Sequence, residues 1–283
     1  MTLSVLGKHA IITGGGSGIN LAFAKKLLSR GCSVLIGDLG LRPEAQELLK
    51  QYPHDPSKSP SASRPSALFK KTDVRSWPQL TELTRTAEAA FPQVDIVVPG
   101  AGVFDPKWSS LLGAAKVVHP IRLSQLAIAH WTSWRIPGSL LVVGSMAGYL
   151  YGLGTPMYHA SKHGVHGFVR SLGHLRETAG IRTAAIAPGA VNTPLLTDDL
   201  ERRNALNADL AASPEDIADA MLELLEDPQY GDGTIFEATA EGTRVVPAFN
   251  APMPEFKDGA IAEYMVEVER RLIKKITEEG LKV

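Results

Sequence analysis

Short apolar runs alternate with segments of helical periodicity along most of the chain. A continuous run such as 32–38 is typical of a strand that is buried on both faces. Strands are predicted at 8–13, 32–38, 67–74, 94–102, 139–145, 181–189 and 233–238. Helices are predicted at 19–30, 43–52, 77–91, 114–134, 155–178 and 213–227. Ser213 and Asp216 have the spacing of a capping box at the start of the last helix.

This alternation predicts an α/β protein with one doubly wound, Rossmann-type parallel sheet of about seven strands, covered by helices on both faces. We expect that domain to span 1–255, with the Pro- and Ser-rich segment 53–66 forming an exposed, mobile loop. Residues 256–283 predict a helical tail that packs on the same domain or on a partner subunit. The apolar stripe of the tail consists of Ile261, Met265, Val268, Leu272 and Ile276.

The composition is that of an ordinary globular protein and narrows the function classes. At 44% hydrophobic and 21% charged, 283 residues can bury a full core. A net charge of −1 argues against a nucleic-acid binder, which should carry a basic excess. No stretch approaches a membrane span, the chain start lacks a signal-peptide pattern, and the lone Cys32 fits a reducing compartment. We therefore expect a cytoplasmic protein.

The segment "ITGGGSGIN" follows the first predicted strand and opens the first helix, the context in which a glycine-rich loop binds a dinucleotide. Gly14 allows the tight turn, and Gly18 lets the backbone approach a pyrophosphate at the helix N-terminus. Asp38, which ends the second strand, can accept hydrogen bonds from both ribose hydroxyls and would repel a 2′-phosphate. The sequence therefore predicts NAD rather than NADP. The expected loop contacts are Gly14, Gly16, Ser17, Gly18 and Ile19.

A second candidate contact follows the third strand. Asp73, with Val74 after it, could reach the adenine edge of the cofactor. A role of Asp73 as a helix cap fits the sequence equally well.

Tyr158 and Lys162 lie four residues apart in "YHASK" and share one face of a predicted helix. Oxidation of a secondary alcohol requires loss of the hydroxyl proton, and a free tyrosine is a poor base at neutral pH. A lysine ammonium one turn away favours the phenolate, which makes Tyr158 a candidate general acid and base. Ser145, just past the fifth strand, could hydrogen-bond the substrate oxygen. The spacing of His159, His163 and His166 does not suit a metal site, and we expect surface or interface positions for them.

The chain resembles the short-chain dehydrogenases/reductases over nearly its whole length, and within them the NAD-dependent prostaglandin-dehydrogenase-like members and their fungal relatives. The motifs that carry the resemblance are Thr13-Gly14-x-x-x-Gly18, Asp38, "PGAG" at 99–102, Ser145, Tyr158-x-x-x-Lys162 and "PGAVNTP" at 188–194. The resemblance implies that Lys162 also holds the nicotinamide ribose and that the protein forms a homodimer or homotetramer. It also implies cofactor contacts by Gly100, Ala101, Gly102, Pro188, Gly189, Val191 and Thr193, although Thr193 could instead cap a helix before Pro194.

Three positions depart from the family pattern. Asn20 replaces a glycine that packs the first helix on the sheet, and "PGAG" lacks two asparagines that brace the sheet near the adenosine. Lys116 stands where the family has an asparagine whose carbonyl holds a water in a proton relay. The lysine could preserve that relay, weaken Lys162 by repulsion, or be an ordinary solvated residue.

The residues expected on the substrate side are mostly apolar or aromatic, and no arginine pair offers an anion clamp. They include Phe104, Met146, Tyr149, Tyr151 and Leu195. We therefore expect a bulky, lipophilic secondary alcohol or ketone as substrate. Two alternatives remain: an enzyme of the same fold recruited for isomerisation or cyclisation in a biosynthetic pathway, and a non-catalytic dinucleotide-binding regulator.

Overall fold

A single eight-stranded sheet organises the chain, in the order β3-β2-β1-β4-β5-β6-β7-β8. The computed structural model describes residues 4–102, 118–198, 211–248 and 260–281. The strands are β1 His9–Thr13, β2 Ser33–Asp38, β3 Ala67–Lys71, β4 Ile96–Val98, β5 Gly138–Val143, β6 Ile181–Pro188, β7 Asp232–Thr239 and β8 Gly242–Val245. The first seven pair in parallel, and β8 pairs antiparallel to β7. The predicted α/β class is confirmed.

Strand β8 is absent from the sequence-based prediction. All four of its residues are exposed, so it contains no apolar run of the kind that marks the buried strands.

Helices cover both faces of the sheet. They are α1 Gly18–Ser29, α2 Pro43–Gln51, α3 Trp77–Ala90, α4 Val118–Trp134, α5 Pro156–Ser171, α6 Leu175–Ala179, α7 Pro194–Thr197, α8 Pro214–Glu226 and α9 Ala260–Glu279. Ile12 faces a cluster that contains α1 and α8, whereas the adjacent Ile11 faces a cluster formed with α3, α4 and α5. Successive strand side chains thus enter two cores, which explains why central strands such as β1 and β2 carry apolar residues on both faces.

The predicted helix at 155–178 is divided into α5 and α6. Gly173 lies between them, and a Cβ on it would be 2.5 Å from the carbonyl oxygen of Asp232 at the start of β7. The chain therefore leaves the helical path where it meets the sheet. The capping box of α8 is confirmed: the Asp216 amide donates to Ser213 Oγ, and the Ser213 amide donates to Asp216 Oδ2, each at 3.1 Å.

Segment 53–66 lies mostly at the surface, as predicted, and a β-bridge joins Ser61 to Arg64. Its mobility stays a prediction. In the described ranges, no helix is both long and apolar enough to cross a membrane.

The tail forms the predicted helix, α9, and in the part of it whose side chains are described, from 266 onward, burial is confined to the end. Ile276 is 9% exposed, and the Leu281 amide donates to Thr132 Oγ1 of α4 at 3.1 Å. Val268 and Leu272 of the predicted stripe are 41% and 51% exposed. The side chains of Ile261 and Met265 lie outside the part of the structure that is described.

The strand order reverses between β1 and β4, because the chain runs outward from β1 to β3 and then returns to β4 on the other side. In doubly wound sheets, ligands bind at the carboxyl ends of the strands beside such a reversal. The candidate residues at 13–20, 99–102, 145 and 188–193 follow strands that end at this edge.

Candidate active site

The glycine-rich loop connects β1 to α1 and holds Asp38 beside it. Gly14 has a φ of +76°, and its amide donates to the Gly37 carbonyl at 2.8 Å. The Gly16 amide donates to Asp38 Oδ2 at 2.9 Å, and a Cβ on Gly16 would lie 2.3 Å from the carbonyl oxygen of Gly40. The position of Gly16, where the loop meets the end of β2, therefore has no room for a side chain. The result is a narrow cradle with helix-terminal amides on one side and a carboxylate on the other.

The turn 99–102 after β4 lies against this loop. Thr13 Oγ1 accepts hydrogen bonds from the Gly100 amide at 3.0 Å and the Ala101 amide at 3.3 Å. Thr13 Oγ1 also lies 3.1 Å from Nε2 of His119 in α4. Burial, with a smaller contribution from the Lys162 charge, lowers the pKa of His119 to about 4, against a hydrogen bond to the Ala101 backbone that raises it. His119 is therefore neutral at pH 7.

His119 was not predicted as a site residue. Its position just before Pro120, inside the helix predicted at 114–134, was the available signal, and that signal does not distinguish a site histidine from a surface one.

The structure brings Ser145 and Tyr158 together. Ser145 follows β5 and starts a short 3₁₀ helix, Met146–Gly148, where its Oγ accepts from the Ala147 amide at 3.2 Å. Tyr158 lies in the first turn of α5, and its hydroxyl is hydrogen-bonded to the Ser145 side chain. Burial raises the pKa of Tyr158, and the bond to Ser145 lowers it by less. The phenol is therefore protonated at neutral pH.

Lys162 lies one helical turn further along α5, against the end of β5. Its Nζ donates to the carbonyl oxygens of Val143 at 3.1 Å and Gly144 at 3.0 Å, and lies 5.8 Å from the centroid of the Tyr158 ring. Burial lowers the pKa of Lys162 to about 8. The net effect of burial and of the Ser145 hydrogen bond is a raised Tyr158 pKa. The lowering of the Tyr158 pKa by Lys162 stays a prediction.

The loop after β6 reaches back to the glycine-rich loop. Pro188 ends β6, the Gly189 amide donates to the Ala238 carbonyl at 2.9 Å, and Val191 forms a β-bridge with Ala212. Thr193 is buried and precedes α7 without a side-chain capping hydrogen bond. A Cβ on Gly18 would lie 3.3 Å from Thr193 Cγ2, so this loop closes over the start of α1.

Asp73 lies beyond the end of β3 and binds an arginine. Arg75 Nε donates to Asp73 Oδ1 at 3.0 Å, and Arg75 Nη2 donates to Asp73 Oδ2 at 2.6 Å. Ser76 caps α3 by accepting from the Gln79 amide. The capping role for Asp73 is therefore wrong, whereas its contact and that of Val74 with adenine stay predictions.

The expected substrate residues differ widely in exposure. Tyr151 is 86% exposed and stacks on His163 with ring centroids 6.1 Å apart, and Leu195 is 46% exposed. The Tyr149 hydroxyl donates to Glu237 Oε2 of β7 in a short hydrogen bond. Burial, followed by the bond to Glu237, raises the Tyr149 pKa. Phe104 and the departure at Lys116 lie outside the described residues.

His166 is buried at 4% exposure, contrary to the expected surface or interface position. A Cβ on Gly148 would lie 2.2 Å from its ring, so the histidine supports the turn that carries Ser145. Its ring also stacks on Tyr149, with centroids 6.1 Å apart. Across the described ranges, no three His, Cys, Asp or Glu side chains are placed to hold a metal ion.

A family model described as short chain dehydrogenase matches residues 8–204. The chain belongs to this family. Among similar proteins, the short chain dehydrogenase is 30% identical over 259 residues to 15-hydroxyprostaglandin dehydrogenase [NAD(+)] of Mus musculus, covering 84% of this chain and 92% of the relative. It is also 30% identical over 232 residues to cis-4-hydroxycyclohexanecarboxylate dehydrogenase of Sinomonas cyclohexanicum, covering 77% and 89% of the two chains.

Solved structures share the fold of this dehydrogenase. A short chain dehydrogenase from Mycobacterium avium superimposes with a TM-score of 0.72 at 22% identity, over 95% of this chain and 96% of that one. The 3-ketoacyl-(acyl-carrier-protein) reductase of Brucella melitensis, complexed with NADH, gives 0.65 at 23% identity, over 83% and 98%.

Proposed function

We propose that the chain is an NAD(H)-dependent oxidoreductase that interconverts a secondary alcohol and a ketone on a bulky, lipophilic substrate, with Tyr158 as general acid and base. The observation that carries the proposal is the hydrogen-bonded pair Ser145–Tyr158, with Lys162 fixed behind it on the carbonyls of β5. The pair lies at the carboxyl edge of the sheet, where doubly wound folds bind their ligands.

The residues at the other end of this edge fit a dinucleotide. The amides at the start of α1 suit a pyrophosphate, and side chains on Gly16 and Gly18 would obstruct the cradle. Asp38 offers carboxylate oxygens to ribose hydroxyls, which favours NAD over NADP. Prostaglandin-dehydrogenase relatives carry NAD(+) in their names, which agrees with this choice. NAD would supply the hydride acceptor for alcohol oxidation, and NADH the donor for ketone reduction.

The chain's own groups supply the proton chemistry. Because burial keeps the Tyr158 phenol protonated, its hydroxyl can donate a proton to a ketone oxygen, and Ser145 Oγ can donate a hydrogen bond to the same oxygen. In the oxidative direction Tyr158 must first lose its proton, which the bond from Ser145 favours. Lys162 keeps the end of β5 in place and contributes positive charge behind the ring.

The substrate class is inferred from the exposed apolar residues beside this pair and from the relatives. Leu150, Tyr151, Leu153 and Leu195 are exposed around the segments that carry Ser145 and Thr193. Hydroxy compounds appear in the names of three relatives, including 1-deoxy-11-beta-hydroxypentalenate dehydrogenase of Streptomyces arenae. A lipophilic secondary alcohol agrees with both observations.

The test is a panel of secondary alcohols and ketones with NAD(H) and NADP(H), followed at the nicotinamide absorbance. We expect turnover with NAD(H), and Tyr158→Phe to lower kcat by about a thousandfold through loss of the acid–base group. Tyr52→Phe, after α2 and away from the site, is the matched control. Full activity in Tyr158→Phe contradicts the proposed mechanism. Product formation without net change in NADH identifies isomerisation or cyclisation, and NADH binding without any turnover identifies a regulator.

Three further properties belong to the same proposal. We infer a homodimer or homotetramer from the family resemblance and a cytoplasmic location from the single, buried Cys32. The division into a domain over 1–255 and a tail over 256–283 is also our inference. The exposed stripe of α9 at Val268 and Leu272 agrees with a tail that has more than one contact surface.

A further inference from the structure

Asn20 connects α1 to the turn 99–102. It is the third residue of α1, 7% exposed, and its Nδ2 donates to the carbonyl oxygen of Gly100 at 2.9 Å. Thr13 of β1 accepts hydrogen bonds from the Gly100 and Ala101 amides of the same turn. Side chains of β1 and α1 therefore bind three backbone groups of the turn: two amides and one carbonyl. Pro99, Gly100, Ala101 and Gly102 have no polar side chain of their own, so this support comes entirely from outside the turn.

The same side chain determines which residue fits at position 100. A Cβ on Gly100 would lie 2.4 Å from Asn20 Oδ1 and 2.5 Å from Asn20 Nδ2, far inside van der Waals contact. The φ of Gly100 is outside the left-handed region that would require glycine. Position 100 is therefore restricted to glycine by the Asn20 amide and not by its backbone conformation.

Gly14 completes the contact from the other side. A Cβ on Gly14 would lie 2.7 Å from Ala101 Cα and 3.1 Å from Asn20 Nδ2. The glycine-rich loop, the start of α1 and the turn 99–102 thus meet at the Asn20 amide. Asn20 Oδ1 is buried and has no hydrogen-bond partner among the described residues, which costs stability. A stability role alone accounts poorly for an asparagine here.

We propose that Asn20 is a positioning residue for the dinucleotide: it locks the turn 99–102 onto the glycine-rich loop, so that the two walls of the cofactor cradle form one preorganised unit. Two of the departures from the family pattern, Asn20 and the glycine at position 100, are then linked: the first compensates for the second. The amide that braces the turn comes from α1 instead of from the turn itself. Preorganisation lowers the cost of ordering the cradle when the cofactor binds.

A double-mutant cycle on protein without added dinucleotide tests the lock. Gly100→Ala should lower Tm by about 5 °C in the wild-type background, because its methyl group overlaps the Asn20 amide. In an Asn20→Ala background the same substitution should change Tm by less than about 1 °C, because the three atoms nearest to the new methyl group all belong to the Asn20 amide. Gly102→Ala is the matched control in the same turn, since no atom of the described residues lies within 4 Å of its Cβ position, and its Tm should equal that of wild type.

The second measurement is NADH binding by titration well below every Tm. Asn20→Ala should bind NADH about tenfold more weakly, since it leaves the Gly100 carbonyl unpaired and the turn unsupported. Equal Tm costs of Gly100→Ala in both backgrounds overturn the lock. Unchanged NADH affinity in Asn20→Ala shows a structural contact only and overturns the positioning role. The proposal rests on the proposed cofactor, and the two can fail separately: a wild type that binds neither NADH nor NADPH refutes the cofactor, whereas the Tm cycle still decides the lock.

Discussion

At the scale of single residues, burial determines the protonation of the candidate site. It raises the pKa of Tyr158, lowers that of Lys162 to about 8, and lowers that of His119 to about 4. Each shift favours the neutral form. The site therefore holds a protonated phenol and a neutral imidazole around one lysine whose charge is costly to bury.

The buried Lys162 ammonium gives the stability of the protein a specific pH dependence. The unfolded chain keeps this proton up to the ordinary pKa of 10.5, whereas the folded protein keeps it only to about 8. Between these values the unfolded state binds more protons, so stability rises with pH. We expect the free energy of unfolding of wild type, minus that of Lys162→Met, to increase by up to about 3 kcal/mol across this window in urea titrations.

Subtracting the free energy of unfolding of Lys162→Met removes the contributions to the pH dependence from groups that titrate elsewhere in the protein. Lys25→Met, on the exposed side of α1, is the control and should leave the pH dependence as in wild type. A difference that stays constant from pH 8 to 10.5 would show that Lys162 titrates alike in both states.

The sequence predicted which candidate catalytic side chains come together, but not their local environment. Ser145, Tyr158 and Lys162 were found because their order and spacing along the chain are informative. The hydrogen bonds of His119 to Thr13 and of Tyr149 to Glu237 join residues 106 and 88 positions apart, and no local pattern encodes such pairs. The direction of the Tyr158 shift depends on burial, which spacing does not report.

At the scale of elements, the hairpin of β7 and β8 supports the turn that carries Ser145. Arg244 of β8 binds Glu237 of β7 through Nε at 2.7 Å and Nη2 at 2.9 Å, and Glu237 accepts the Tyr149 hydroxyl. Glu237 is 8% exposed, and these partners lower its pKa. The short, exposed β8 thus serves to bring an arginine to a buried carboxylate next to the site.

We expect Tyr149→Phe to lower kcat about tenfold while the affinity for NADH stays unchanged, because the turn that carries Ser145 loses its anchor but the dinucleotide cradle does not. Steady-state kinetics and NADH titration measure the two quantities. Tyr151→Phe changes the same group on an exposed ring that has no carboxylate partner among the described residues, and it should have a smaller effect on kcat. If NADH affinity falls in parallel with kcat, Tyr149 acts through the whole fold and not through this turn.

A buried arginine of the sheet, Arg182, binds carbonyl groups at the C-terminal end of helix α8. The Arg182 guanidinium of β6 donates to the carbonyl oxygens of Leu224, Leu225, Asp227 and Tyr230. These include terminal carbonyls that have no partner within the helix. We expect Arg182→Met to lower the free energy of unfolding by about 3 kcal/mol in urea titrations.

Arg176→Met is the matched control, because within the described ranges Arg176 binds two carbonyls, those of Pro228 and Tyr230, and it is more exposed than Arg182. It should lower the free energy of unfolding less than Arg182→Met does. Equal effects would show that burial of the guanidinium adds nothing.

The elements themselves were predictable where burial imposes a pattern. The seven parallel strands follow from their apolar runs, and the start of α8 follows from Ser213 and Asp216. The break between α5 and α6 did not follow, because Gly173 is required by a contact with Asp232 and not by local propensity. Strand β8 is exposed throughout and leaves no apolar signal.

At the scale of the whole molecule, one edge of the sheet collects every group that the proposed reaction needs. Parallel strands all end at this edge, so residues from 13 to 193 meet there although they are distant along the chain. The opposite end of the strands serves stability: Asp95 accepts hydrogen bonds from Lys8, His9 and Gln93 there. The strand–helix alternation predicts this arrangement well: the candidate site lies at the carboxyl ends of the strands, and stabilising contacts lie at the opposite ends.

The contact between Asn20 and Gly100 also constrains how such a sequence can change over time. An asparagine at position 20 leaves no room for a Cβ at position 100. A single substitution therefore cannot move an amide side chain from position 100 to position 20. If the proposed lock holds, position 100 must carry a residue without a Cβ before an amide can occupy position 20. A comparison of related sequences that scores the two positions independently would then count two separate changes where the lock links them.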